Sequence, residues 1–307
     1  MELIRGLINV HEHQRGCAVT IGSYDGIHLG HRALLSRLNE HAARLSVPTV
    51  LLTFEPMPRE YLSPEAPPAR LTSLRERWRI LEGLSLDYLL LLRFGEGLRN
   101  LSGEAFASLL ARNLAARAVV VGHDFRFGCH GEATAPMLAE AGRRLGFSVD
   151  VVPPVMLDGE RVSSSGVREA LGRGDFALAG RRLGRHYSMR GRVVRGQRLG
   201  RDLGFPTANL RIERRRAPLQ GIFAVRVHGV AAAPLPGVAS LGTRPTVGGV
   251  HTLLEVHLFD FSSDLYGREI EVEFVAKLRD EEYFPTLDAL VEQIRRDAAQ
   301  ARLILST

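Results

Sequence analysis

Two imidazoles three residues apart, in His28-Leu29-Gly30-His31, follow the strand-like run Ala18-Val19-Thr20-Ile21 and open a helix-like stretch. Residues three apart share a helix face, and the exposed N–H groups of a helix start add positive potential, so both rings can sit against one phosphate. An α-phosphate suits that seat. Nucleotidyl transfer asks for positioned donors to phosphoryl oxygens while pyrophosphate leaves, and it needs no covalent nucleophile. Val162-Ser163-Ser164-Ser165-Gly166-Val167-Arg168 adds hydroxyls, another helix start and an arginine fork suited to β- and γ-phosphates, although its serines would serve equally as helix caps. A second phosphate-type segment, Gly204-Phe205-Pro206-Thr207-Ala208-Asn209, lies far downstream. Two separate nucleotide sites on one chain point to an enzyme performing two reactions. A zinc reading of the histidines lacks a third ligand, and His11 and His13 are expected at the surface.

The elements that must position these groups change character along the chain. The first half alternates short apolar β-rich runs with amphipathic segments, which predicts βα units around a mainly parallel, Rossmann-like sheet. Strands are expected at 18–21, 50–54, 88–92, 118–121 and 147–152. A helix follows the first strand, with Leu34, Leu38, Ala42 and Leu45 at helical spacing. Ser73 with Glu76 forms a capping box, Ser102 caps a helix reaching about Leu114, and another helix spans 136–145. Ligands in open parallel sheets bind at the carboxyl ends of strands, where His28, Asp124 and the serine cluster are expected. Beyond Arg185 the pattern turns to glycine-punctuated strands at 221–228, 253–259 and 270–274, predicting a small β-barrel. Thr286 caps a terminal helix whose Leu287, Leu290, Val291, Ile294 and Ala298 form an apolar stripe. The boundary falls near 180–187, giving domains 1–184 and 185–307.

At 307 residues, 45% hydrophobic and 24% charged, the chain can bury two cores. Its apolar runs are too interrupted for a membrane span and its start lacks secretory features, so the cytoplasm is expected. Cys17 and Cys129 are too few for a disulfide framework. The +6 charge would permit nucleic-acid binding and a regulatory role, but the arginines are spread and no aromatic-basic module accompanies them. Anionic small substrates explain the balance without nucleic acid or membrane. Arg214-Arg215-Arg216 is expected to be a solvated loop. Nothing in the sequence sets an oligomeric state.

The pattern resembles the bacterial bifunctional riboflavin kinase and FAD synthetase family. The resemblance is carried by 21–31, Thr53-Phe54-Glu55-Pro56, Gly122-His123-Asp124-Phe125-Arg126-Phe127-Gly128, 162–168 and 191–210, and it continues through 242–246, 254–258 and 278–281. It implies an N-terminal nucleotidyltransferase domain that adenylylates FMN to FAD and a C-terminal six-stranded flavokinase barrel that phosphorylates riboflavin. Both would use ATP and a divalent cation such as Mg²⁺. By motif, His28 and His31 would bind the reacting phosphates beside Gly22 and Asp25, Asp124 would help hold the nucleotide, and Ser164, Ser165 and Arg168 would grip the phosphate tail. Phe54, Pro56, Phe125 and Phe127 would form the flavin wall or, equally, plain core. In the kinase half, Gly196, Gly200 and Gly204 permit a loop close to phosphates. Thr207 and Asn209, two apart in an extended segment, can present hard oxygen ligands to Mg²⁺ and ATP. Similarity makes Glu255 the base for the riboflavin 5′-hydroxyl and Arg279 a contact to flavin or phosphate.

The first domain departs from the pattern. Met57 stands where the family commonly has a histidine, Cys129 and His130 stand where basic residues are usual, and Ser165 replaces a frequent threonine while keeping the hydroxyl. These departures leave open an alternative in which only the kinase is active and the N-terminal domain is degenerate or regulatory.

Overall fold

The computed structural model describes residues 1–196, 203–214, 216–246 and 249–306. The chain forms two compact units, Met1–Pro68 with Arg77–Val162, and Ala69–Glu76 with Ser163–Thr307.

In the first unit, six parallel strands stand in the order β1-β4-β3-β2-β5-β8. They are β1 Glu2–Arg5, β2 Ala18–Ile21, β3 Thr49–Phe54, β4 Tyr88–Leu92, β5 Ala118–Gly122 and β8 Ser148–Val152. The central strands are nearly continuous apolar runs, as expected of a parallel sheet covered on both faces. Val19, Leu52, Leu90, Val119 and Val121 pack against Phe106, Leu110 and Leu138. The helices are α1 Leu29–Leu45, α2 Pro58–Leu62, α3 Leu74–Glu82 from Arg77 onward, α4 Glu96–Arg99, α5 Gly103–Leu114 and α6 Ala135–Leu145. Ser102 accepts from Ala105 N as the N-cap of α5. Two ribbons complete the unit, β6 Arg126–Phe127 with β7 Ala133–Thr134, and β9 Met156–Leu157 with β10 Glu160–Arg161. Strand order reverses between β2 and β5, so their carboxyl ends form the crevice in which such sheets take ligands.

In the second unit, α7 Ser164–Gly172 and α8 Phe176–Leu183 precede a closed antiparallel barrel in the order β11-β12-β15-β14-β13-β16. Its strands are β11 Ser188–Val194, β12 Ala208–Arg211, β13 Gly221–His228, β14 Leu235–Thr246, β15 Gly249–Leu258 and β16 Glu269–Arg279. Period-two alternation places Ile270, Val272 and Phe274 inside while Glu269, Glu271 and Glu273 stay outside the core. The compact units part at 162/163. Val167, Leu171, Phe176 and Leu183 bury their side chains in the barrel's own core, with Phe176 edge-on to Phe223 at 5.9 Å. The terminal helix α9, Leu287–Leu305, is capped by Thr286 and packs on the barrel. Contact is made mainly through its later turns, where Ala298, Ala301 and Ile304 meet Ala224 and Phe259, while Leu287 of the expected stripe is 67% exposed.

The triple arginine run is not the solvated loop its charge predicts. Arg214 is buried, donating to the Leu71 carbonyl at 2.9 Å and the Glu76 carboxylate at 2.5 Å, whereas Arg216 is exposed and Arg215 lies outside the described residues. Glu76 also accepts from Ser73 N at 2.7 Å, closing the capping box, and from Arg190 N at 2.7 Å. Tyr187 and Arg168 hold the carbonyls of Leu71 and Ala69 in the same unit. Charge alone cannot distinguish a solvated run from one whose first member answers a buried carboxylate.

Arg214→Ala leaves Glu76 buried without its counter-charge and is expected to lower the unfolding free energy by about 3–5 kcal/mol, read from urea melts. A loss below ~1 kcal/mol would mean that Glu76 regains water there.

Candidate functional site

The first site grows from the loop between β2 and α1. Tyr24, Gly26 and Ile27 all have positive φ, a costly run for non-glycine residues that the surroundings must impose. Tyr24 is buried with its hydroxyl 2.5 Å from Thr20 Oγ1, and Asp25 is buried beside it in the chain. His28 is the N-cap of α1, its Nδ1 accepting from His31 N at 3.3 Å. The two rings stack with centroids 3.7 Å apart, and the Tyr24 ring lies 4.8 Å from His31. Gly30 makes the stack possible: a Cβ there would stand 3.0 Å from His28 Cε1. Burial, then the charges of His28 and Arg77, hold His31 well below the ordinary histidine range, so its ring is neutral at pH 7. Its Nδ1 is buried without a hydrogen-bond partner among the described residues.

Asp124 follows β5, at the same end of the sheet as His28. It is exposed and pairs with Arg161 at 2.5 Å. Partial burial would raise its pKa, but the Arg161 hydrogen bond and charge carry it below the usual carboxylate range. Phe54, Phe125 and Phe127 line a cavity of about 390 Å³ together with Ile21, Phe94 and Phe106. Pro56 is not in that wall; Pro58 takes its place. Phe125 stacks on Phe127 at 5.4 Å and Phe94 meets Phe54 edge-on at 5.8 Å, leaving a flat aromatic slot. Arg99, Arg126 and His130 also line it. Met57 is buried, its N–H donating to Glu60 at 3.1 Å. Both thiols are free; burial pushes that of Cys17 up to about 12, while Cys129 is half-buried.

Ser164 and Ser165 open α7 in the second unit, with Ser163 as N-cap accepting from Gly166 N at 3.1 Å. Arg168 donates through Nε to the Ala69 carbonyl at 2.5 Å.

On the barrel, β12 pairs with β15 so that Asn209 stands directly opposite Glu255. Their neighbours Leu210, Leu254 and Val256 point into the core, so the amide and the carboxylate share the outer face. Asn209 is nevertheless buried, because the Gly196 backbone lies over it and a Cβ at 196 would overlap its amide. His257, two along from Glu255, meets the Pro206 carbonyl through Nδ1 at 2.9 Å and the Phe205 ring edge-on at 5.4 Å. That pins the segment carrying exposed Thr207, and Gly204 supplies its left-handed turn with φ +83°. Gly200 lies outside the described residues. Arg279 grips Asp297 of α9 with Nη2 at 2.8 Å and Nε at 3.0 Å, and Nη1 donates to the Asp280 carbonyl, which anchors the terminal helix.

Residues 10–166 match the FAD synthetase family and residues 183–305 the riboflavin kinase family. The chain is 45% identical over 304 residues to the bifunctional riboflavin kinase/FMN adenylyltransferase of Escherichia coli (strain K12), covering 98% of this chain and 97% of that one. This chain belongs to that family. The Pseudomonas fluorescens member is 46% identical over 99% of this chain and 98% of its own, and the Haemophilus influenzae member 41% over all of both. A crystal structure from Streptococcus pneumoniae, named a macrolide-efflux protein, superposes with a TM-score of 0.82 over 98% of both chains at 30% identity. Among the described residues of the present family member, no helix is long and apolar enough to cross a membrane.

Sequence reasoning passed over Arg77, which is buried against Ser23, Thr53 and Glu55. The available signal was its register, on the helical stripe between Leu74 and Leu81. Gly196→Ala must displace the Asn209 amide, so riboflavin phosphorylation is expected to fall at least about tenfold, as for a misplaced positioning group. FAD formation from supplied FMN should stay within about twofold, since Gly196 and Asn209 belong to the unit of the barrel alone. Equal kinase rates, measured by resolving flavins chromatographically, would show that Asn209 is not held by this contact.

Proposed function

We propose that Glu255, Thr207 and Asn209 carry phosphorylation of riboflavin, and that His28 and His31 carry adenylylation of the FMN so formed. The chain is a riboflavin kinase and an FMN adenylyltransferase, with ATP as co-substrate of both reactions. The observation that supports the kinase assignment is the register of β12 against β15, which sets a buried amide oxygen beside a carboxylate on one rigid face. Glu255 accepts the 5′-hydroxyl proton as the oxygen attacks the γ-phosphorus of ATP, and ADP leaves.

Thr207 and Asn209 offer neutral hard oxygens, Asn209 against the Gly196 backbone, a donor set that suits Mg²⁺. With phosphate oxygens they would hold the ion, which when bound neutralises charge on the triphosphate. Among the described residues no cluster of three or more His, Cys, Asp or Glu offers a rival metal site.

In adenylylation the FMN phosphate attacks the α-phosphorus of ATP and pyrophosphate leaves. Neutral His31 donates one N–H to a phosphoryl oxygen, while His28 and the first N–H groups of α1 supply further donors. Asp124, Gly22 and Asp25 shape the nucleotide side of the crevice. Ser164, Ser165 and Arg168 keep the phosphate-tail role their motif assigns. The flavin ring lies in the aromatic slot of Phe54, Phe125 and Phe127. A kinase-only reading is not favoured, because the FAD synthetase match runs through Met57, Cys129 and His130 and the aromatic slot persists beside them. We place both reactions in the cytoplasm, where ATP is available.

Glu255→Gln is expected to lower kinase turnover about 10²–10⁴-fold, the usual span for loss of a general base. His28→Ala should lower FAD formation about 10²–10³-fold, as for loss of a transition-state donor. Each variant should spare the other reaction. A time course resolving riboflavin, FMN and FAD checks both, and loss of both products in either variant would refute the division of labour.

A further inference from the structure

The loop that delivers His28 is held from behind by a group that belongs to no motif. Arg77 of α3 is 1% exposed. Its Nη1 donates to the Ser23 carbonyl at 2.7 Å and to Thr53 Oγ1 at 3.2 Å, and its Nη2 donates to Glu55 Oε2 at 2.9 Å. A guanidinium bridges three acceptors through a fixed planar fork whose donors sit on separate nitrogens, whereas an ammonium offers its three donors from a single point. Ser23 is the last residue before the left-handed run at Tyr24, Gly26 and Ile27, so its carbonyl sets where that run begins. Thr53 lies at the end of β3, beside β2 in the sheet, and Glu55 immediately follows that strand. Arg77 therefore ties the loop carrying Asp25 and His28 to the carboxyl edge of the sheet.

We propose that Arg77 is a positioning residue for adenylylation, fixing the Ser23–His28 loop to the end of β3 and keeping a permanent positive charge behind the stacked histidines. The proposal rests on the reading of His28 and His31 as the adenylylation site. Among the described residues, His28 stacked on it, the Tyr24 phenol and Arg77 bear on His31. Burial also pushes the Tyr24 pKa up, so that group stays neutral. Arg77 is thus the one permanent charge in that set, and its repulsion joins burial and His28 in keeping His31 unprotonated. Two separable consequences follow. The fork sets geometry, and the charge sets the pH at which His31 takes up a proton.

The test uses the full chain with Arg77→Lys and Arg77→Gln, measuring FAD formation from supplied FMN and ATP between pH 5 and 9, with riboflavin phosphorylation as the check of fold. Arg77→Lys keeps the charge and loses the fork. It is expected to lower turnover about tenfold or more, with the acidic limb of the pH profile unmoved. Arg77→Gln loses both. Removing a neighbouring positive charge raises the pKa of His31, so its acidic limb should move to higher pH in addition to the drop in turnover. Equal rate losses at every pH in both variants, or no loss in either, would overturn the proposal. His28→Ala separates the two layers: if that variant still forms FAD at the parental rate, the histidine reading itself fails, whatever Arg77 does. Should Arg77→Gln lose kinase activity by misfolding, Arg77→Lys decides alone, and parental FAD turnover in it refutes the positioning role.

Discussion

Folding a polar loop into the interior of a parallel sheet's crevice is the constraint on which the first active site depends. A buried carbonyl, carboxylate or imidazole without a partner costs more than a hydrogen bond gains in water. The loop at 22–28 meets this by local answers: Tyr24 to Thr20, Ser23 to Arg77, and His28 to the amide of His31. Nδ1 of His31 is a buried nitrogen with no partner among the described residues.

The barrel solves a related problem by register. Antiparallel pairing places Asn209 opposite Glu255, and the two-residue period keeps both on the outer face while Leu210, Leu254 and Val256 fill the core. A slip of one residue would turn the amide inward and the leucine out, so core burial and site geometry are enforced by the same pattern.

Much of this was legible in the residues. The apolar runs at 50–54, 88–92 and 118–121 became β3, β4 and β5, and the caps at Ser102 and Thr286 formed as their side chains allow. Three things were not legible. The short strand β1 lies at the sheet edge beside β4 and carries too few residues to show a period. The helices α7 and α8 read as the close of the first domain, because periodicity says that a helix has an apolar face but not which core it meets. Arg77, Arg214 and Arg279 are buried or half-buried cations whose partners, Glu55, Glu76 and Asp297, are distant in sequence. Charge density favours the surface for such residues, and only tertiary pairing overrides it.

One ATP pocket could not serve both reactions, and the two units differ accordingly. Attack at the γ-phosphorus expels ADP, so the acceptor must approach along the outer end of the triphosphate, with the base at that end. Attack at the α-phosphorus expels pyrophosphate, so the acceptor must approach from the opposite side of a different phosphorus, and both β- and γ-phosphates become the leaving group. In-line geometry fixes each approach within a few tenths of an ångström of productive contact. A carboxylate beside neutral oxygens answers the first demand, since the attacking hydroxyl still carries a proton. Imidazoles at a helix start answer the second, since the attacking FMN phosphate is already an anion and needs no base, only donors that receive the charge spreading over the α-phosphoryl oxygens. On the proposed assignment, the protonation state of the nucleophile is what separates a unit built around Glu255 from one built around His28 and His31.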